Sequence, residues 1–361
     1  MKSVSKSVSK SVSTAIAASA VLTFSAHAEV LEVPGQYTTI QSAIAAAVAG
    51  DEVIVSPGIY NEAIDFLGKD IVVRSATGPE KTIIDGTGVG TSVVACVSGE
   101  TAAAVLDGFT VRKGWTGSPL PQNPQIYLGG GLVVLSSSPT ILNCRFVDNR
   151  SSYGGGAYLY FSESLVKDCV FHMNQVSSDG GGAQTFEGEV SFENCTFTYN
   201  KAPNSHGGAV HLVKGSPTMI DCLIANNTSN LGGGLTFYAD GGVATISGCE
   251  IVGNIADVAG GFWVRPGYSD LLLIDTEVCA NAPTPFVGRY TDGGGNIFCS
   301  GCRGDLNSDG QVNASDVGIM LGFWGFPGVG IPVAADLNND AIVDAADLSI
   351  QLGNWGDCVA P

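Results

Sequence analysis

An all-β solenoid of stacked parallel coils is predicted for this chain by three observations. A seven-residue block recurs as NCRFVDN, DCVFHMN, NCTFTYN, DCLIANN, GCEIVGN and DTEVCAN, closing at Asn149, Asn174, Asn200, Asn227, Asn254 and Asn281. The spacings are 25, 26, 27, 27 and 27 residues. Glycine runs ending at Gly131, Gly156, Gly182, Gly208, Gly234 and Gly261 keep the same period independently. The unit carries several short apolar runs and no helical period, so it is too short to bury its own core and must stack on its neighbours.

Each glycine run leads into a strand-like segment such as Gly156-Ala157-Tyr158-Leu159-Tyr160. A second strand aligns Ile141, Val166, Phe192, Met219 and Ile246 in one column and Cys144, Cys169, Cys195, Cys222 and Cys249 in another. Two places on, Phe146, Phe171, Phe197, Ile224, Ile251 and Val278 form a third apolar column. Residues two apart on a strand share a face, so the cysteine and Phe/Ile columns both point inward. Glycines and asparagines fill the turns, where positive φ is needed.

This pattern resembles the right-handed parallel β-helix proteins of the pectin-lyase-like superfamily, and the resemblance implies the right-handed coil. Regular coils are expected over 129–281 within a β-helix spanning 29–298. Thr38 can cap an amphipathic helix with apolar residues at Ile40, Ala43, Ile44, Ala47 and Val48, ended by Gly50. Such a helix would cover the open first coil. Asp51, Val53, Val55, Pro57, Gly58, Tyr60 and Glu62 then match the opening of pectinesterases, which marks the start of the fold and carries no catalysis. No pectinesterase catalytic motif follows, and Ser205-His206-Gly207-Gly208 is only superficially like the G-H-G of polygalacturonases.

The first 28 residues read as an export signal: Lys2, Lys6 and Lys10, an apolar stretch over 14–24, and Ala26-His27-Ala28 for cleavage. A secreted or cell-surface location is expected, with no transmembrane segment after cleavage. The mature chain keeps 13 basic against 34 acidic side chains, a charge of about −21, which disfavours nucleic acid and anionic membranes and suits calcium. The five column cysteines are expected to be buried thiols, because in-register parallel strands hold their Cβ atoms too far apart for disulfides. Cys279 breaks that register and is free to pair with Cys299 or Cys302, while Cys358 can clasp the last domain.

Two sets of residues are candidates for function on the coils. Arg145, Asp148, Arg150, Lys167, Asp168 and His172 lie in neighbouring coils and supply the acids and bases that a lyase needs. Against this, Asp168 shares its column with Asn143, Asn194 and Asp221, as a turn ladder would. Tyr158, Gln184, Thr236 and Trp263 form one column predicted outward, and Tyr160, Phe186, Tyr238 and Arg265 the next. Aromatic faces flanked by polar groups suit sugar rings. His211 falls, on the glycine-run count, in an inward apolar column. The insertion over 115–127, with three prolines, is a candidate cover or cleft wall.

Beyond the coils, DLNSDGQVNASD places Asp305, Asn307, Asp309, Gln311, Asn313 and Asp316 at positions 1, 3, 5, 7, 9 and 12 of a calcium loop. DLNNDAIVDAAD repeats it with Asp336, Asn338, Asp340, Ile342, Asp344 and Asp347. Each loop leads to a short helix ending in LGFWG or LGNWG. The duplication resembles dockerin modules, and the segment 303–358 is therefore expected to be a small α-helical calcium-binding domain; the resemblance implies a cohesin-like partner. Ala341 in place of the loop glycine, and Ala314-Ser315 and Ala345-Ala346 in place of the Ser-Thr pairs of well-known dockerins, depart from that family. Together these features predict an exported β-helix that recognises polysaccharide and is tethered through its calcium-binding tail. The alternatives are a polysaccharide lyase or glycoside hydrolase acting on acidic glycans, and a purely structural surface repeat protein.

Overall fold

Apolar residues alternate along most strands of the walls, and the chain satisfies that alternation by winding one face of each coil onto an interior shared by all of them. A computed structural model describes residues 28–116, 128–238, 241–267, 270–299, 304–306, 311–325, 335–338 and 342–357. The export segment before Ala28, most of the 115–127 insertion, Cys302, Cys358, Asn307, Asp309 and Asp340 lie outside the described residues.

Three parallel sheets of eleven, nine and ten strands form the walls. The first contains Thr140–Leu142, Leu165–Lys167 and Ser191–Glu193; the second Leu132–Leu135, Ala157–Ser162 and Ala183–Gly188; the third Arg145–Val147, Val170–His172 and Thr196–Thr198. Register is strict, pairing Ile141 with Val166, Phe146 with Phe171, and Val134 with Leu159. A smaller four-stranded sheet, from Arg150–Ser151 to Thr228–Leu231, flanks the wall.

Like stacks on like inside. Phe146, Phe171 and Phe197 lie ring over ring, with centroids 4.9 and 4.6 Å apart. Cys144, Cys169, Cys195, Cys222 and Cys249 are buried free thiols that fill the interior as small hydrophobes, and burial pushes the Cys169 thiol well up. Thr276 ends the row, its hydroxyl accepting from the Cys249 N–H. Cys279, out of that row, forms a disulfide with Cys299, which selects between the two partners the sequence allowed.

A wholly buried asparagine ladder runs beside the phenylalanines. From Asn149 to Asn254 each Nδ2 donates to the next coil's Oδ1 and to a carbonyl of the coil before: Asn174 to Asn200 at 2.9 Å and to the Phe146 carbonyl at 2.9 Å, Asn200 to Asn227 at 3.0 Å and to the Phe171 carbonyl at 2.9 Å. The main-chain N–H of each also donates to the following Oδ1, as Asn174 does to Asn200 at 3.0 Å. At the preceding turn Asn143, Asp168, Asn194 and Asp221 all adopt φ near +50°, the left-handed conformation that Asn and Asp tolerate best.

At the first coil, the helix α1 (Ile40–Ala46) buries Ile40, Ala43 and Ile44. Its N-cap is Thr39, one residue later than Thr38, because the Thr39 and Ser42 side chains complete a reciprocal capping box. It ends before Gly50, at an extended Ala47, where the Lys69 ammonium takes the carbonyls of Ile44, Ala45 and Ala47 at 2.8 Å each. Glu62 accepts from the Ile40 and Gln41 N–H groups, and Asp51 from Glu29 and Val48, which explains the acidic residues of the opening motif as helix anchors.

The tail contributes α2 (Ala314–Leu321) and α3 (Ala345–Gly353), packed through Met320, Ala335, Leu337 and Val343. Strand Gln311–Val312 pairs antiparallel with Gly356–Asp357.

Candidate functional site

The basic cluster suggested by the sequence does not converge. Arg145 pairs with Glu80 at 3.4 Å, Arg150 with Asp148 at 3.5 Å, and Lys167 with Glu193 at 2.8 Å. Asp168 accepts from Asn194 Nδ2 at 2.6 Å, as its turn-ladder position requires, and His172 Nδ1 meets Thr198 Oγ1 at 2.9 Å. Each of these side chains is held by its own local partner, Arg150 within its own coil and Lys167, Asp168 and His172 on the next, instead of at a common point. Asp148 and Arg150 do line, with Lys113, Gly114 and Trp115, a surface hollow of ≈ 330 Å³.

On the second sheet the two columns separate. Val133, Tyr158, Gln184, His211, Thr236 and Trp263 are in register with one another. His211 thus stands beside Gln184 and Thr236, and not in an inward column. The reason is Ala209, which takes the place of the third glycine: the Ala183 and Gly182 N–H groups both donate to its carbonyl, shifting the count by one. This column lies outside the wall, yet Tyr158, Gln184, His211 and Thr236 are buried, which corrects the expectation of an open column. Leu128 packs over Val133 and Tyr158, while His206, from the flanking strand Lys201–His206, stacks on His211.

The second column remains half-exposed, running Leu135, Tyr160, Phe186, Val213 and Tyr238. Tyr160 and Phe186 lie 5.5 Å apart between ring centroids, and Tyr238 and Trp263 5.4 Å. Two cations cover rings of this ridge: the Lys214 ammonium lies 5.7 Å from Phe186, and the Arg265 guanidinium 5.0 Å from Tyr238.

Beside Tyr238 the covering strand brings in His206, which the sequence shows only as a superficial G-H-G likeness, and the turn before Gly180 brings in Asp179, which no sequence pattern singles out. Tyr238 Oη lies 2.7 Å from His206 Nε2, and His206 Nδ1 lies 2.8 Å from Asp179 Oδ1. Ser205 Oγ bonds to the same carboxylate oxygen. Burial opposes ionisation of Asp179, but hydrogen bonds from His206 and Ser205 and the charge of the two histidines outweigh it and hold the carboxyl down at about 2. An ionised Asp179 accepts from His206 Nδ1–H and leaves Nε2 to accept the Tyr238 proton. A serine triad is excluded, since Ser205 and Asp179 both meet the same ring nitrogen.

His211 sits beneath this group, with Nδ1 3.8 Å from Asp179 Oδ2. Among the described residues neither of its nitrogens has a hydrogen-bond partner, nor do Gln184 Oε1 and Thr236 Oγ1 beside it. Burial pushes His211 down to about 4 from 6.5, with His206 adding to the shift and Asp179 opposing it. The unfolded chain takes up this proton near pH 6.5 and the folded chain only near pH 4. Stability should therefore fall as pH drops through that window, by on the order of 3 kcal/mol. His211→Gln copies the neighbouring Gln184 and should flatten that fall. Urea midpoints of both proteins at pH 6.5 and pH 4 test this, and equal pH slopes would refute it.

In the tail, Asp305, Asp316, Asp336 and Asp347 are buried. Asp316 accepts from the N–H groups of Leu306 and Asn313 at 2.8 Å each, and Asp347 from Asn338 at 3.0 Å and Asp344 at 2.8 Å. The twelfth residue of each loop is thereby folded back on the first few. Asn313 and Asp344 spend side-chain oxygens on helix N-caps, accepting from Ser315 and Ala346. Gln311, Asn338 and Ile342 fall on the described parts of the same loops. Each loop thus buries two carboxylates, at its first and twelfth positions, and that donor chemistry suits a hard divalent cation, which would supply their counter-charge.

Residues 102–282 match the family model of the right-handed β-helix region. No curated protein matches the sequence. Among solved structures the chain is similar to a pectin methylesterase from carrot, at 13% identity and TM-score 0.46, over 73% of this chain and 87% of that one. A pectin methylesterase from Aspergillus niger gives 13% and 0.44, over 75% and 86%. One from Erwinia chrysanthemi gives 11% and 0.39, over 76% and 89%.

Proposed function

The chain belongs to the right-handed β-helix family, and from that premise we propose that it is an exported polysaccharide-recognition protein, binding glycan along the ridge of its second sheet and tethered by a calcium-binding tail. The observation that carries this reading is the half-exposed row Tyr160, Phe186 and Tyr238, with Lys214 and Arg265 over its rings. Parallel strands repeat every ~4.8 Å along the axis, so the ridge offers apolar faces at intervals of the order of one sugar ring. A rigid sheet holds them in place before the ligand arrives, which reduces the ordering cost of binding.

The test is titration calorimetry of the mature protein with polygalacturonate, alginate and a neutral glucan. Phe186→Ala should weaken binding roughly tenfold without unfolding the coils. Absence of binding to all three, or an unchanged affinity in the variant, would remove the reading. For the tail, calcium at the two loops supports α2 and α3, and a cohesin-like protein or surface component is the proposed attachment. Chelation should lose helical signal while the β-helix melts as before; simultaneous melting of both would count against a separate calcium-dependent tail.

A further inference from the structure

We propose that Tyr238, with His206 and Asp179 behind it, is a proton-transfer centre that cleaves a carboxylate-bearing glycan by β-elimination, an inference that rests on the ridge being a glycan-binding face. Three features of the geometry point there. The phenol is half-exposed on the ridge, and its hydrogen bond leads inward to His206 and then to Asp179, at 2.7 and 2.8 Å. A rigid chain of this kind has a direction: Asp179 fixes the His206 tautomer, so His206 Nε2 can take the phenolic proton.

The second feature is charge. Arg265 lies over the Tyr238 ring in a chain of formal net charge −18, whereas Lys214, over Phe186, is paired with Glu187 at 3.1 Å. A cation next to the base is where a uronate carboxylate would sit, and it would stabilise the negative charge that grows on that carboxylate as the neighbouring C–H bond breaks. The third is the acid inventory. Hydrolysis of a glycosidic bond needs two carboxylates flanking it. Among the described residues Asp179 is the one carboxylate bonded to this group, and it lies behind His206, away from the ridge. Proton abstraction fits what is present.

The step balances without oxidant, reductant or water. Tyr238, its proton held on His206, takes hydrogen from the carbon bearing the carboxylate. The electron pair of that C–H bond becomes a double bond to the adjacent carbon, whose bond to the glycosidic oxygen breaks. The departing oxygen receives the proton from Tyr238, and the relay returns to its starting state. Burial holds the Tyr238 hydroxyl above its ordinary value, Arg265 opposing and Asp179 adding to the shift, so the rate should climb from neutral towards alkaline pH.

The experiment follows ultraviolet absorbance of the conjugated unsaturated uronate end on polygalacturonate and on alginate, with calorimetric binding measured on the same samples. Wild type should release unsaturated ends. Tyr238→Phe keeps the ring and should lose turnover by roughly a hundredfold or more at nearly unchanged affinity. Asp179→Asn, which acts through His206, should shift the pH–rate profile while the substrate's KM holds. If wild type binds either polymer and yields no unsaturated ends, the elimination proposal fails and recognition stands. If it binds neither, both fail; if Tyr238→Phe turns over like wild type, Tyr238 is not the base. Should Tyr238→Phe not fold, His206→Gln replaces it, and an unchanged pH profile there overturns the relay.

Discussion

Asn200→Ala is expected to cost about 3–6 kcal/mol of unfolding free energy, a large share of the 5–15 kcal/mol that holds a typical domain together. The side chain is fully buried and serves both neighbouring coils. Its removal takes the acceptor from the Asn174 N–H and Nδ2, and the donor from the Phe171 carbonyl. Each orphaned group costs about 1–3 kcal/mol. Asn200→Asp keeps the shape and should be no milder, because a carboxylate cannot donate to Phe171 or to Asn227 and carries a buried charge. Denaturant unfolding followed by circular dichroism measures both. A loss below about 1 kcal/mol for the alanine variant would mean that the ladder decorates a wall held by packing alone.

Phe171→Ala should cost about 3–5 kcal/mol, from lost burial together with a cavity that rigid parallel strands cannot close. Its ring is stacked between those of Phe146 and Phe197 and meets Phe192 edge-on at 6.3 Å, so three neighbours lose contacts at once. Phe171→Leu fills most of the gap and should cost far less. The comparison is decisive because both variants remove the aromatic stack and only one leaves a void. Equal melting temperatures for the two would show that stacking geometry, and not filled volume, matters at this level.

The coils were legible in the sequence because their determinants repeat: Asn149 to Asn281, the cysteine row and the phenylalanine row each recur at the period of the unit they stabilise. Strand alternation then sorted inside from outside. The errors arose where one coil departs from its neighbours. Ala209 replacing a glycine moved His211 into the wrong column on paper, and a capping box at Thr39 with Lys69 at the far end set the helix limits against simpler signals. Burial of Tyr158 and Gln184 was hidden for a different reason, since the covering segments belong to the flanking strands and turns and leave no periodic trace in the columns they cover. The Tyr238–His206–Asp179 group is distributed over three coils: Asp179 and His206 stand one repeat of 27 residues apart, each just before its glycine run, but Tyr238, 32 residues from His206, falls outside that period. Its one visible sign was the pair of histidines in a single coil, His206 and His211, in a chain with four histidines in all.

The disulfide between Cys279 and Cys299 has a meaning beyond fastening a strand. Every coil presents its successor with a complete template of backbone and side-chain partners, so nothing within the repeat itself counts how many coils there should be. Length is decided at the boundaries. At one end α1 is seated by Glu62 and Asp51; at the other the short strand Ile297–Phe298 pairs with Glu277–Cys279 and is bolted there by sulfur. These two stoppers turn a structure that could in principle extend into a filament into one of fixed size, and losing the second should first be felt as molecules adding end to end.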